Sequence, residues 1–291
     1  MPTSKKLICW SALPFLVACG GATEQQTDVF AADVPTTADG TLNDVLSVKG
    51  ARGHAAKLNG RVIDIHIRTE GAGDDLVYYV TIDGEEEIAF RQTDSTENRY
   101  IDDDDRELFL SSFPSGESST LTIRDRATGD DIRGNFGLRT AILPDEELYY
   151  RGSWSASNRE GPVRDLYMDG GLSFYVDFTT GDVSGVSNVA SIEYSDDGGD
   201  TYDITSGSVL VDGRLLGAEI DGTLTVSGAA AGQLNLAGAI YGPNAEEALG
   251  VIGGTVIYDG MEIDVGGRFE TEEALAPPPE GTPPPPTPAP K

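Results

Sequence analysis

The dominant periodicity along this chain is two. In Leu172-Ser173-Phe174-Tyr175-Val176-Asp177-Phe178 the set Leu172, Phe174, Val176 and Phe178 points to one side, and Ser173, Tyr175 and Asp177 to the other. That is the alternation of a strand with one buried face. Ile63, Ile65 and Ile67 alternate with Asp64, His66 and Arg68 in the same way, as do Leu234, Leu236 and Ile240 with Gln233, Asn235 and Ala239. Further strands are predicted at Leu76 to Ile82, Ile88 to Phe90, Leu108 to Leu110 and Leu121 to Ile123. Turn chemistry joins such runs into hairpins. In Val256-Ile257-Tyr258-Asp259-Gly260-Met261-Glu262-Ile263 the Asp-Gly pair supplies the two positive φ angles of a type I′ turn, and Asp83-Gly84 and Asp212-Gly213 repeat the signal. After the N-terminal segment no stretch carries a convincing helical period, apart from a short turn over Pro243 to Leu249. The chain reads as all-β, with dense glycine suited to bends, bulges and close-packed corners.

The two ends depart from this pattern. Lys5-Lys6 precede an apolar run from Leu7 to Val17 that ends Leu16-Val17-Ala18-Cys19-Gly20. The run is too short to cross a bilayer, and a charged start with a small residue before the cut is the grammar of an export signal. Its ending resembles a bacterial lipobox, which needs a small residue before the cut and a cysteine thiol to carry diacylglycerol. Ala18 and Cys19 meet both demands, so residues 1–18 read as a lipoprotein signal peptide and Cys19 as the lipidated, palmitate-bearing residue. Gly20 stands where lipoproteins kept at the inner membrane often carry aspartate, which favours the outer membrane or the cell surface. Residues 19–50 hold few large apolar side chains and read as a flexible tether, although Leu42, Val45, Leu46 and Val48 offer a start of structure near its end. Residues 273–291 form a proline-rich disordered tail. A change of composition near Leu143-Pro144 divides the middle: residues 51–141 hold most of the arginines and long acidic runs, and 142–272 are smoother and rich in glycine.

Charge narrows the partners. With 49 Asp and Glu against 20 Lys and Arg the formal net charge is -29, and loss of Lys5 and Lys6 with the leader takes it to -31. Nucleic acid is excluded, because neutralising phosphate needs a basic face. Most of the carboxylates read as a solvated, self-repelling surface. Cys9 leaves with the leader, so no internal disulfide is available and stability must come from core and sheet. No catalytic constellation is evident. His54 and His66 have no recognisable nucleophile partner, and Gly152-Ser153-Trp154-Ser155-Ala156 lacks the second glycine of a hydrolase elbow. Asp102-Asp103-Asp104-Asp105 and Asp196-Asp197-Gly198-Gly199-Asp200 carry calcium-type oxygens without EF-hand spacing. The reading is therefore a non-enzyme with no cofactor and no metal.

The C-terminal half carries a more particular pattern. It opens Leu148-Tyr149-Tyr150-Arg151-Gly152, continues through Phe174 to Phe178, Gly181 and Val183-Ser184-Gly185, and reaches Gly238-Ala239-Ile240-Tyr241-Gly242-Pro243-Asn244-Ala245-Glu246-Glu247. Gly250, Gly253-Gly254 and Val256 complete it. In these residues the half resembles the β-barrel domain of the transferrin-binding protein B family, surface lipoproteins that capture host proteins or other ligands. The resemblance implies a soluble antiparallel barrel of eight strands over 142–272, preceded by a smaller handle-like β domain over 51–141. Tyr241, Gly242, Pro243, Ala245, Glu246, Glu247, Gly250 and Gly253 read as a structural motif. Glycine and proline end a strand sharply there, and Glu246-Glu247 stand where a helical turn would favour negative charge. The outward positions Ser173, Asp177, Gln233 and Asn235 are too polar for a lipid-facing barrel. The resemblance implies a surface-anchored protein that binds an extracellular protein, iron- or haem-carrying in some members, and that depends on lipoprotein export and sorting machinery. A purely structural or adhesive envelope lipoprotein stays open as the alternative.

Overall fold

A computed structural model describes residues 34–85, 87–92, 99–128, 130–158, 165–187, 190–195, 201–205 and 207–275. The described chain begins earlier than the strand pattern suggests. Pro35 and Thr37 bond to the backbone of Arg139, a 3-10 turn follows at Thr37–Asp39, and a helix α1 spans Leu42–Val48. Thr41 caps α1 by accepting from the Asp44 amide, and Leu42, Val45 and Leu46 fall on one face and are buried. The segment expected to be tether up to residue 50 is thus structured from Val34 on. Seven residues are too few to register as a period, and a helix this short is stable only because its apolar face enters a core.

That core belongs to a closed barrel. β1 (Ala51–Lys57), β2 (Val62–Glu70), β3 (Val77–Ile82), β4 (Ile88–Gln92), β5 (Arg99–Ile101), β6 (Arg106–Ser112), β7 (Ser118–Asp125) and β8 (Asp131–Gly137) pair in sequence order, and β8 returns to β1. Ile63, Ile65, Ile67, Val80, Phe90, Leu108, Leu121 and Phe136 fill its interior together with the face of α1. The handle-like domain of the sequence reading is therefore itself a small closed barrel. Its arginines meet its carboxylates: Arg68 with Glu87, Arg99 and Arg126 with Glu107, Arg124 with Asp131 of the neighbouring strand, and Arg133 with Asp131 along β8.

The second barrel uses β9 (Glu147–Ser157), β10 (Asp165–Asp177), β11 (Asp182–Ser187), β12 (Ala190–Ser195), β13 (Thr201–Thr205), β14 (Gly207–Leu216), β15 (Glu219–Gly228), β16 (Ala230–Tyr241), β17 (Glu247–Tyr258) and β18 (Met261–Ala274). Its ring runs β9, β10, β11, β14, β15, β16, β17, β18 and back to β9, making the expected eight strands. The hairpin β12–β13 extends from the first half of β10, whose second half pairs with β11. Leu172, Phe174 and Val176 point inward as their alternation predicts, and Tyr150, Trp154, Phe174 and Phe269 are the fully buried rings of the core. Gln233 and Asn235 face outward and are exposed.

Two of the three Asp-Gly pairs turn as read, with φ of 52° and 71° at Asp83-Gly84 and 49° and 76° at Asp259-Gly260. Asp212-Gly213 does not turn. It lies within β14, where Gly213 faces Gly222 of β15, and the chain reverses instead at Gly217, φ 63°. Two facing glycines let neighbouring strands approach, a use of glycine that sequence grammar does not separate from a turn.

If α1 is part of the first core, Leu46→Ala lowers unfolding stability by about 2–4 kcal/mol in denaturant titrations, the usual cost of truncating a buried leucine. An unchanged midpoint would return this segment to the tether.

Candidate functional site

The two longest breaks in alternation mark the same surface. Every residue of β8 from Gly134 to Gly137, and of the chain on to Thr140, is buried, as is every residue from Glu247 to Gly253 in β17. A strand buried on both faces has a second layer over its outer side. Here each barrel is the other's cover: β1, β8 and the start of β2 lie against β16, β17 and β18.

The seam is closer than side-chain packing allows. A Cβ on Gly253 would sit 2.5 Å from the Gly60 carbonyl oxygen, and one on Gly266 would overlap the carbonyl of Lys57. Only glycine permits backbones to meet at that distance. Asn135 reaches out of β8 and donates through Nδ2 to the carbonyls of Gly250 at 3.2 Å and Phe269 at 3.4 Å. Phe113 packs on Ala239, Tyr241 and Leu249 at one edge.

The motif residues converge on this seam. Tyr241 is buried and carries the Arg139 guanidinium over its ring at 4.7 Å. The Gly242 carbonyl accepts from Thr140 Oγ1 at 2.8 Å, and the Ala245 carbonyl accepts from the Tyr150 hydroxyl at 2.7 Å. After Pro243, Glu246 folds back to accept from the Asn244 amide at 2.9 Å and its Nδ2 at 2.7 Å. Glu247 is buried and accepts from Ser118 Oγ and, at 3.3 Å, the Ser115 amide, both in the first barrel. At Gly250 a Cβ would strike the Phe269 ring. The helical turn expected to start at Glu246-Glu247 is absent. Ala245 has φ 62°, and β17 begins at Glu247, which answers hydroxyl and amide donors of the other barrel instead of a helix terminus.

A charged relay runs through the same interface. Arg139, 4% exposed at its side chain, donates to Glu219 from Nε at 2.7 Å and from Nη2 at 3.2 Å. Glu219 also meets His54 Nε2 at 2.9 Å, and His54 Nδ1 lies 3.2 Å from Asp64. Burial raises the Glu219 carboxyl, but the Arg139 charge and the His54 contact outweigh it and hold the pKa at about 2. Burial lowers the His54 ring, but its bonds to Asp64 and Glu219 outweigh that and the repulsion of Arg139, so it titrates above its ordinary value. Beside the seam, a cleft of about 300 Å³ is lined by Pro114, Ser115, Glu246, Glu247, Glu272 and Glu273. Burial, then the nearby Glu246 and Glu247, push Glu117 up.

Other predicted positions fall elsewhere. Asp102 to Asp105 form the β5–β6 turn, where Asp102 accepts from the Arg106 amide at 2.8 Å and from its Nε at 2.6 Å. Among the described residues no group of three or more His, Cys, Asp or Glu is arranged to hold a metal. Trp154 of the elbow-like string sits in the second core. Cys19, the leader, the tail from 276 and Asp196 to Asp200 lie outside the described residues. Sequence reading missed His54, Ser118, Asn135, Arg139, Thr140 and Glu219 as seam residues. Their partners are remote in the chain, and only the unbroken buried run after Glu247 signals a covered strand.

No family model matches the chain, and no curated protein matches it. Among solved structures it is similar to a single-site mutant of transferrin-binding protein B from Haemophilus parasuis Hp5, at 17% identity and TM-score 0.44, over 78% of this chain and 46% of that one. It is also similar to isotype 1 transferrin-binding protein B from serogroup B Neisseria meningitidis, at 15% and 0.39, over 76% and 43%. A structure described as a surface lipoprotein aligns at 14% and 0.35, over 76% and 98%. The chain spans less than half the length of the first two.

The relay gives stability two pH limits. Glu219, depressed, contributes above its ordinary value of 4.5 and loses that contribution as pH falls towards 2. His54, raised, contributes fully below 6.5 and loses it as pH climbs through its folded value. The melting temperature of the wild type should therefore fall as pH rises above 6.5 through the raised value of His54, and His54→Gln should flatten that limb. Superimposable profiles would remove His54 from the relay. Glu219→Ala leaves Arg139 buried without its carboxylate, at a cost of about 3 kcal/mol in denaturant unfolding, near the lower end for such a break because Glu219 is partly exposed.

Proposed function

We propose that this chain is a surface lipoprotein, anchored through lipid on Cys19, whose two-barrel body binds an extracellular protein without catalysing a reaction. The observation that carries the reading is the occupation of the motif. Tyr241, Gly242, Glu247, Gly250 and Gly253 are engaged within the seam, so the residues that distinguish the chain build a joint between two barrels. A joint of that kind fixes two sets of loops relative to each other, and rigid scaffolds presenting loops are a common basis for recognition. Recognition then belongs to loops, and the motif is structural.

The remaining assignments follow from the sequence. Residues 1–18 are the leader removed on export, the tether runs from Cys19 to the start of the structured chain near Val34, and the proline-rich tail is a spacer. Export, lipid-modification and sorting machinery are the implied partners, and a ligand of the transferrin type is one candidate. The outward polarity of the second barrel, at Gln233 and Asn235, supports a body held beside the membrane by its lipid.

Labelled palmitate and protease shaving of intact producing cells test the reading together. Wild type should incorporate label, Cys19→Ala should lose it, and protease should strip the body from intact cells. Label retained by Cys19→Ala would overturn the anchor. Label with full protection from protease would turn the body to the periplasm and end the extracellular role.

A further inference from the structure

The first barrel is a cup. α1 closes the end from which β1 starts, and its Leu42, Val45 and Leu46 join the interior core. At the end where β1 finishes lies a cavity of about 170 Å³. That is close to the ~150 Å³ at which an apolar cavity in another protein accepts a benzene-sized molecule. Its walls include Ile82, Ile88, Ile123 and Ile132, of which Ile88 and Ile132 remain partly exposed. An apolar group of one ring or one branched chain would cover them.

The charges around this cavity divide into two kinds. Arg106 is held by Asp102 at 2.6 Å, Asp131 by Arg124 at 3.1 Å, and Asp125 accepts from the amides of Ala127 and Thr128 at 2.7 and 3.2 Å. Lys57 and Asp130 are different. Both line the cavity, yet among the described residues neither side chain has an ion pair, and they do not meet each other within 4.0 Å. Elsewhere in this barrel arginine after arginine closes on a carboxylate. A cation and an anion held apart over an apolar cavity complement a small molecule that carries both charges and an apolar side chain.

The geometry points to a binding site in the mouth of the first barrel for a free apolar α-amino acid. Its carboxylate meets Lys57, its ammonium meets Asp130, and its side chain enters the isoleucine-lined cavity. Each half of the recognition is weak in water, and the two together with the apolar group give selectivity. The site is separate from the seam and from any loop-borne protein ligand, so it stands or falls independently of the function proposed above.

Isothermal titration of the soluble chain from Val34 onwards, with free phenylalanine or leucine as the probe, tests it. Saturable binding is expected, weakened at least tenfold for phenethylamine, which lacks the carboxylate, for hydrocinnamate, which lacks the ammonium, and for glycine, which lacks the side chain. Lys57→Gln should abolish the preference for phenylalanine over phenethylamine, and Asp130→Asn the preference over hydrocinnamate. Both positions are at the surface end of the barrel, and an unchanged melting temperature checks that each variant folds. Ile132→Trp should block binding by filling the mouth. Absence of saturable binding to the folded wild type overturns the proposal, as does equal affinity for the amine or the acid alone, or indifference to both charge variants.

Discussion

Two closed sheets meeting backbone to backbone is the constraint on which the rest of this molecule depends. A closed barrel normally covers its interior and leaves its outside to water. Here β8 and β17 are covered on both sides, and β17 and β18 approach the backbone at the end of β1 and in the turn after it closely enough that glycines stand at Gly253 and Gly266. At such a distance few side chains fit, so those that do are specialised. Asn135 answers carbonyls of the opposite barrel, Glu247 answers Ser118, and Thr140 answers Gly242. The polar groups that the contact strips of water are those that hold it in register.

The acidity of the chain makes the placing of its cations informative. Some arginines of the first barrel pair at its surface with exposed carboxylates, where each pair contributes little, and others reach in from the surface to the buried carboxylates of Asp102, Glu107 and Asp131. Arg139 is the exception, buried between Glu219 and the ring of Tyr241 on the stretch that leads from the first barrel to the second. A charge so placed is costly unless its partners remain, which ties His54, Glu219, Arg139 and Tyr241 into one unit. Loss of charge at Glu219 or at His54 would therefore weaken the joint.

The seam also orders what the two barrels can do. It takes one side of each, and with it the motif from Tyr241 to Gly253. What remains are loops, the hairpin β12–β13 and the mouth of the first barrel. Loops on a double barrel would suit the protein ligand proposed above, whereas the cup with split charges would suit a small one. The two are compatible because neither draws on residues that hold the barrels together.

How much of this was legible follows from which forces are local. Alternation at Ile63 to Ile67 and Leu172 to Phe178, and the Asp-Gly turns at Asp83 and Asp259, determined an all-β chain, because side-chain period and turn backbone are set by near neighbours. The lipobox-like ending at Cys19 and the acidic composition are likewise read from the string itself. The string could not tell the strand glycine at Gly213 from a turn, nor a seven-residue helix from a tether, since both depend on what packs against them. Closure of the first barrel, the meeting of His54 with Glu219 across 165 positions, and the cavity between Lys57 and Asp130 were decided only by tertiary structure. Pairings between distant strands are fixed by the collective burial of both sheets, and no local window of sequence contains that information.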